Sequence, residues 1–206
     1  MKKIGLLLGS FDPIHIAHVN MAACVLNSGL CDKVLFVVAQ HNPWKKAEPA
    51  SYDLRCKMIE SAIEPLGDKA EVCRFEEEFE PPVYSYLPIS KALETYPEDE
   101  IIIIAGTDTI DKIPRWRNFD THIKGKVGFI EVLRGFDSII ADKPIPFEVG
   151  GEAICTDMKV TILDTQKMDV SSTLVRKMVC DGMNPYPYVT KEVLKIIQDN
   201  DLYKNG

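Results

Sequence analysis

The 206-residue chain has no run approaching the ~20 consecutive apolar residues of a membrane-spanning helix. Its apolar start, Met1–Leu8, stops at Gly9 and is followed by Ser10-Phe11-Asp12-Pro13 with no small-residue cleavage site, so a secretory leader is not expected. The six cysteines, Cys24, Cys31, Cys56, Cys73, Cys155 and Cys180, include no Cys-x-x-Cys pair and sit mostly in apolar patterns, as buried free thiols in a reducing compartment would. A cytoplasmic protein is the expectation. A basic excess is also missing: 24 basic against 31 acidic residues give a net charge of -7. That argues against nucleic-acid partners, whose phosphates are met with clustered cations, but not against a small anion held by a few local donors. Neither a Walker A sequence nor a Gly-x-Gly-x-x-Gly after the first strand occurs, which disfavours the commonest nucleotide-binding loops and a plain dehydrogenase. A Gly-x-Ser-x-Gly elbow is absent too, so serine-nucleophile chemistry has no support. With no internal repeat and no low-complexity linker, one domain over 1–206 is expected.

What is present is an ordinary globular composition, 46% hydrophobic and 27% charged, in which strand-length apolar runs alternate with segments of helical period. The runs are Ile4–Leu8, Lys33–Ala39, Ala70–Phe75, Ile101–Ala105, Val127–Leu133 and Val160–Leu163. Ile16, Val19, Ala23 and Leu26 mark a helix that Gly29 ends, and Ser51 caps another with Leu54, Met58 and Ile63 inward. A third opens near Ser85 with Pro88 in its first turn, and Ser172–Cys180 and Lys191–Asn200 form a helical C-terminal end. Gly135–Asp157, with two prolines and two adjacent glycines, reads as a long loop or insertion. Glu76-Glu77-Glu78 reads as a solvated loop. The alternation predicts an α/β fold, a doubly wound parallel sheet with flanking helices, whose ligands bind at the carboxyl ends of the strands.

Chemistry-bearing residues collect at those exits. After the first strand, Gly9 permits a tight turn or close approach, Ser10 offers a hydroxyl and an amide, and His15 and His18 share the first turn of a helix whose amino end favours anions. A His-x-x-His pair alone is more often a pair of hydrogen-bonded or surface residues than a site. Here His41 at the second exit joins the other two, while His122 is expected to be structural or solvated. The second exit adds Trp44, Lys45 and Lys46, a phosphate-facing patch if not simply solvated. The fourth offers Gly106 and Asp108, with Trp116 beyond; Asp can hold ribose or cap a helix, and Trp can stack on a ring or fill a core. The last begins a helix with Ser171, Ser172 and Thr173 and places Arg176 one turn in, an ordinary cap or a polyphosphate cradle.

Gly9 to His18, Asn42-Pro43-Trp44-Lys45, Arg55 to Ile63, Tyr84-Ser85, Gly106-Thr107-Asp108 with Trp116, Ser171-Ser172-Thr173-x-x-Arg176 and Val189 to Tyr203 fall in an order spread over most of the chain. Together they resemble the nicotinate/nicotinamide mononucleotide adenylyltransferases, within the nucleotidyltransferase superfamily marked by a His-x-x-His motif. Leu8 and Pro88 stand where many members have glycine and threonine, and Gly135–Asp157 matches little. The resemblance implies a Rossmann-like fold and transfer of AMP from ATP to a pyridine mononucleotide in NAD biosynthesis, with nicotinate favoured over nicotinamide, and pyrophosphate released. It implies His15, His18 and Arg176 as catalytic. Gly9, Ser10, Phe11, His18, Gly106, Asp108, Ser172, Thr173 and Arg176 would bind ATP. Ser10, Lys45, Tyr84, Ser85 and Trp116 would bind the mononucleotide. Mg²⁺ would arrive with ATP rather than in a protein carboxylate cage. Partners would be small molecules, with neither nucleic acid nor membrane, and homo-oligomerisation stays open. A phosphopantetheine-type adenylyltransferase or another cytidylyltransferase, and a non-catalytic nucleotide-binding regulator on the same fold, are the alternatives.

Overall fold

A computed structural model describes residues 1–40, 50–135, 140–149, 152–166 and 168–204, with side chains for all of these except 108, 134, 135, 140–149, 152–159, 164 and 166. In chain order the main elements are β1 (Lys3–Gly9), α1 (Ile16–Asn27), β2 (Lys33–Val38), α2 (Tyr52–Ile63), β3 (Ala70–Cys73), α3 (Tyr86–Thr95), β4 (Glu100–Gly106), α4 (Thr107–Ile110), β5 (Gly128–Gly135), β6 (Ile140–Val149), β7 (Glu152–Gln166), α5 (Ser172–Cys180) and α6 (Lys191–Asp199). The strands form one sheet in the order β3-β2-β1-β4-β5-β7-β6. All pair in parallel except β6, which runs antiparallel to β7.

The isoleucine run explains why β4 lies centrally. Successive strand side chains point to opposite faces, and both faces of this sheet are covered. Ile101 and Ile103 join Ile89 and Ala92 of α3, Ile113, Phe119 and Ile123 in one core. Ile102 and Ile104 join Ala22 and Val25 of α1, Ile59 of α2, Val175 of α5 and Val193 of α6 in the other. A strand buried on both sides has no polar face to alternate with, so it reads as continuous aliphatic sequence. The expected helices form with their caps: Ser51 Oγ accepts from the Leu54 N–H at 3.3 Å, and Gly29 takes a positive φ of 70° just past α1. Leu54 is only half-buried, and Arg55 occupies the inner face with Cys56 and Ile59 instead.

The expected loop over Gly135–Asp157 is corrected by the backbone, which forms β6 and the first half of β7. Its prolines misled because Pro144 and Pro146 sit on the edge strand, at a register shift, where a missing N–H breaks no central ladder.

Strand order reverses between β1 and β4: β2 and β3 extend from β1 one way, and β5, β7 and β6 from β4 the other. The carboxyl ends of β1 and β4 therefore flank the crevice that a doubly wound sheet opens to ligands.

Candidate active site

Gly9 ends β1, and the chain turns through Phe11, whose φ of 47° lies in the left-handed region. A Cβ on Gly9 would stand 3.0 Å from the Phe11 ring, so a side chain here would displace it. Phe11, expected among the ATP-binding residues, buries its ring against Phe36 in the core and meets His18 edge-on at 5.0 Å between centroids. It supports the imidazole from behind, and what it can offer a ligand is backbone.

His15 is the N-cap of α1 and His18 its third residue. Their rings stack at 3.7 Å between centroids, and the His15 N–H donates to His18 Nδ1 at 3.3 Å. A neutral His18 with Nδ1 accepting carries its proton on Nε2, so that edge is a donor. His18 is half-buried, whereas His15 is buried.

The amino end of α5 packs on the same loop. Ser171 is the ordinary cap, accepting from the Leu174 N–H at 3.1 Å. Ser172 Oγ donates to the Pro13 carbonyl at 2.9 Å, and Arg176 Nη1 donates to the Asp12 carbonyl at 2.7 Å. Arg176 Nη2 donates to Thr173 Oγ1 at 3.3 Å. Two residues expected to meet phosphate thus also fasten α5 to the histidine loop, 159 and 164 positions away in sequence.

Three further residues complete this frame, and none was expected to act. Arg55 is 1% exposed. Its Nε donates to the Ala50 carbonyl at 2.9 Å, Nη1 to those of Ser10 and Ala39 at 2.7 Å each, and Nη2 to that of Gln40 at 3.0 Å. One guanidinium fork so holds the exit of β1, the exit of β2 and the start of α2 together. Burial lowers its pKa, and the nearby Asp12 charge acts the other way. Asp12 Oδ1 accepts from the Ala50 N–H at 3.0 Å and from Tyr203 Oη at 2.7 Å, so the C-terminal segment reaches the loop too. The available signal for Arg55 was an arginine in line with Ile59 and Ala62 on an apolar helix face. For Tyr203 no local signal existed.

Beside this frame lies a cavity of about 160 Å³ at the crevice, bordered by Gly9 and Ser10 of the β1 exit, Ile103 to Ala105 of β4, Ser85, Thr109, Trp116 and Glu76. Trp116 is half-buried against the α3-side core. Leu8, in the position many relatives of the sequence pattern give to glycine, borders the cavity and packs on the same core. Tyr84 lies under the Arg117 guanidinium, 4.6 Å from Cζ to ring centroid. The solvated reading of the Glu76–Glu78 run is corrected: Glu77 and Glu78 are exposed, but Glu76 is 5% exposed. A 3₁₀ turn over Phe75–Glu78 swings it inward, where Oε2 accepts from the Gln40 N–H at 2.8 Å.

Gly106 closes β4 and caps α4, whose backbone carries Asp108; the Asp108 side chain lies outside the described residues, as do His41, Trp44, Lys45 and Lys46. His122, expected to be structural or solvated, is half-buried beside Tyr86, 5.0 Å between ring centroids. Among the described cysteines, Cys31, Cys56 and Cys73 are buried free thiols, but Cys180 is exposed. No helix among the described residues is long and apolar enough to cross a membrane.

A family model described as cytidylyltransferase-like matches residues 6–178. A protein of Endomicrobium trichonymphae, named a probable nicotinate-nucleotide adenylyltransferase, is 32% identical over 99% of this chain and 100% of its own length. The chain belongs to this family. A similarly named Lactococcus lactis protein is 31% identical over 98% of this chain and 96% of its own. Among solved structures, the Plasmodium falciparum nicotinic acid mononucleotide adenylyltransferase complexed with NaAD superposes with a TM-score of 0.79, at 19% identity, covering 100% of this chain and 99% of that one. The fold of that structure is thus shared along the length of this chain.

Proposed function

We propose that this chain catalyses attack of the nicotinate mononucleotide phosphate on the α-phosphorus of ATP, forming the dinucleotide and releasing pyrophosphate. The observation that carries the reading is the convergence of the His15/His18 pair, the α5 start and the cavity bearing Ser85 and Trp116 on one switch-point crevice. Whole-length similarity to named nicotinate-nucleotide adenylyltransferases supports it.

The chemistry suits these groups. A phosphate monoester is already ionised near neutrality, so no general base is required; positioning and charge stabilisation do the work. His18 lies in the first turn of α1, where the helix dipole favours anionic oxygens, and with Nδ1 accepting from the His15 N–H its Nε2 is the ring donor. Ser10, Thr173 and Arg176 border the same path, with Gly106 and Asp108 assigned to ribose and Lys45 to the mononucleotide phosphate. Trp116 stacks on the pyridine ring, with Tyr84 and Ser85 beside it. Mg²⁺ would be carried by the ATP phosphates, whose hard oxygen donors suit it. Bound there, the ion would neutralise the leaving pyrophosphate. The reading takes 1–206 as one nucleotidyltransferase domain acting in the cytoplasm on small molecules.

The test is pyrophosphate release from ATP with nicotinate mononucleotide, nicotinamide mononucleotide or phosphopantetheine as acceptor. Turnover highest with the nicotinate compound is expected. Preference for phosphopantetheine, or ATP binding without turnover of any acceptor, would overturn it.

A further inference from the structure

Glu76 is a buried carboxyl in the wall of the cavity that also bears Ser85 and Trp116. The Gln40 amide fixes one of its oxygens. Among the described residues, the charged and titratable groups that act on it from packed elements include Arg55 and Tyr52 of α2 and Cys73 of β3. The other borders of the cavity are uncharged: Leu8, Gly9 and Ser10 from β1 and its exit, Ala39 after β2, Ile103 to Ala105 from β4, and Ser85, Thr109 and Trp116. Among the described residues, Arg55 is the cation that acts on this carboxyl, and it spends its donors on backbone carbonyls.

We propose that Glu76 selects the acceptor ring: protonated, it makes the wall neutral and can donate to the carboxylate of a nicotinate ring; ionised, it repels that carboxylate but not a carboxamide. This rests on the acceptor reading above. An aromatic carboxylate stays ionised throughout the neutral range, and two carboxylates confined in one desolvated cavity cannot both hold their charge cheaply. A nicotinate ring therefore binds together with a proton taken from solvent, which resides on Glu76, whereas a nicotinamide ring needs none. Burial already pushes the Glu76 carboxyl up to about 7, with the Gln40 amide and the Arg55 charge acting in the opposite direction.

The test is calorimetric binding of nicotinate and nicotinamide mononucleotide to the full chain in buffers of different ionisation enthalpy, which counts protons exchanged. Both ligands carry the same phosphate, so their difference isolates the ring. Larger proton uptake with the nicotinate compound is expected. Its affinity relative to the nicotinamide compound should weaken by up to about tenfold per pH unit above neutrality. In Glu76→Gln, which keeps an acceptor for the Gln40 N–H, the difference in uptake should vanish and the affinity ratio become independent of pH. Equal uptake for both ligands in the unaltered chain overturns the proposal, and so does a difference that survives in a folded Glu76→Gln. The first comparison decides even if the variant does not fold. Binding of neither mononucleotide overturns the acceptor reading itself, and the proposal with it.

Discussion

The histidine loop and the switch-point cavity lie side by side at the same strand exits, yet they are constructed differently. The loop is over-determined: its backbone carbonyls at Ser10, Asp12 and Pro13 are each taken by a side chain from α2 or α5, and the Asp12 carboxylate is held from two more directions. The cavity is a junction of single contributions from β1, β4, the 3₁₀ turn after β3 and the segments bearing Ser85 and Trp116. On the proposed function, a rigid frame suits the side that would align reacting phosphates, where small displacements cost large factors in rate. A junction suits the side that, on the same proposal, would distinguish one ring from another, because each wall can be altered separately.

The largest expected effect falls on the frame. His18→Ala removes the donor edge but keeps Phe11, Arg55 and Arg176 in place, so turnover should drop by about 10²–10³, the range for losing one preorganised charge-stabilising donor. Steady-state kinetics alongside thermal unfolding would check it, and turnover near that of the unaltered chain in a folded variant would remove His18 from catalysis.

The second effect belongs to the cavity and reads on stability. Glu76 has its folded-state pKa raised from 4.5 to about 7, the reverse of the usual paired carboxylate. Between those values the folded chain binds more protons than the unfolded one, so the unfolding free energy falls as pH rises through the window and levels off above it. The full difference is at most about 3.5 kcal/mol, at roughly 1.4 kcal/mol per pKa unit. Glu76→Gln should remove this slope, matching the unaltered chain at low pH and exceeding it above neutrality. Urea unfolding on both sides of the window measures this, and parallel pH curves for the two proteins would show that the buried carboxyl is not the source.

Third, Trp116→Ala should raise KM for the mononucleotide by roughly tenfold or more, since stacking of a flat ring contributes about 1–3 kcal/mol. A change confined to the KM for ATP would move the stacking ring elsewhere.

The same contrast accounts for how much the sequence discloses. Strands β1, β2 and β4 are legible because burial on both faces writes them as aliphatic runs, and the helix ends because Ser51, Gly29 and Ser171 obey local rules. The proposed roles of His15, His18 and Arg176 could be raised from the sequence because exits of parallel strands are where anion chemistry collects. Glu76 was not, since two exposed glutamates follow it and only a 3₁₀ turn separates its fate from theirs. The β6–β7 hairpin was hidden by prolines whose tolerance depends on being at the sheet edge, a property of topology rather than of the segment.

The smallest expected effect tests how far the frame extends. Tyr203 lies four residues past the end of α6, at a positive φ of 62°, and donates to the Asp12 carboxylate across 191 positions of sequence. Burial and the Asp12 charge push its phenol pKa up, so it remains a donor throughout the physiological range. Tyr203→Phe keeps the ring and its packing but leaves Asp12 Oδ1 with the Ala50 N–H alone, a loss of about 1 kcal/mol in stability. If the C-terminal segment merely covers the loop, kcat should be unchanged in the folded variant. If the hydroxyl helps hold Asp12, and through its carbonyl Arg176, kcat should fall by a few-fold while both KM values stay put. Chemical denaturation and steady-state kinetics on one preparation separate these outcomes, and a rise in the mononucleotide KM instead would mean that the two halves are mechanically coupled through Asp12 and Ala50 to the Arg55 fork.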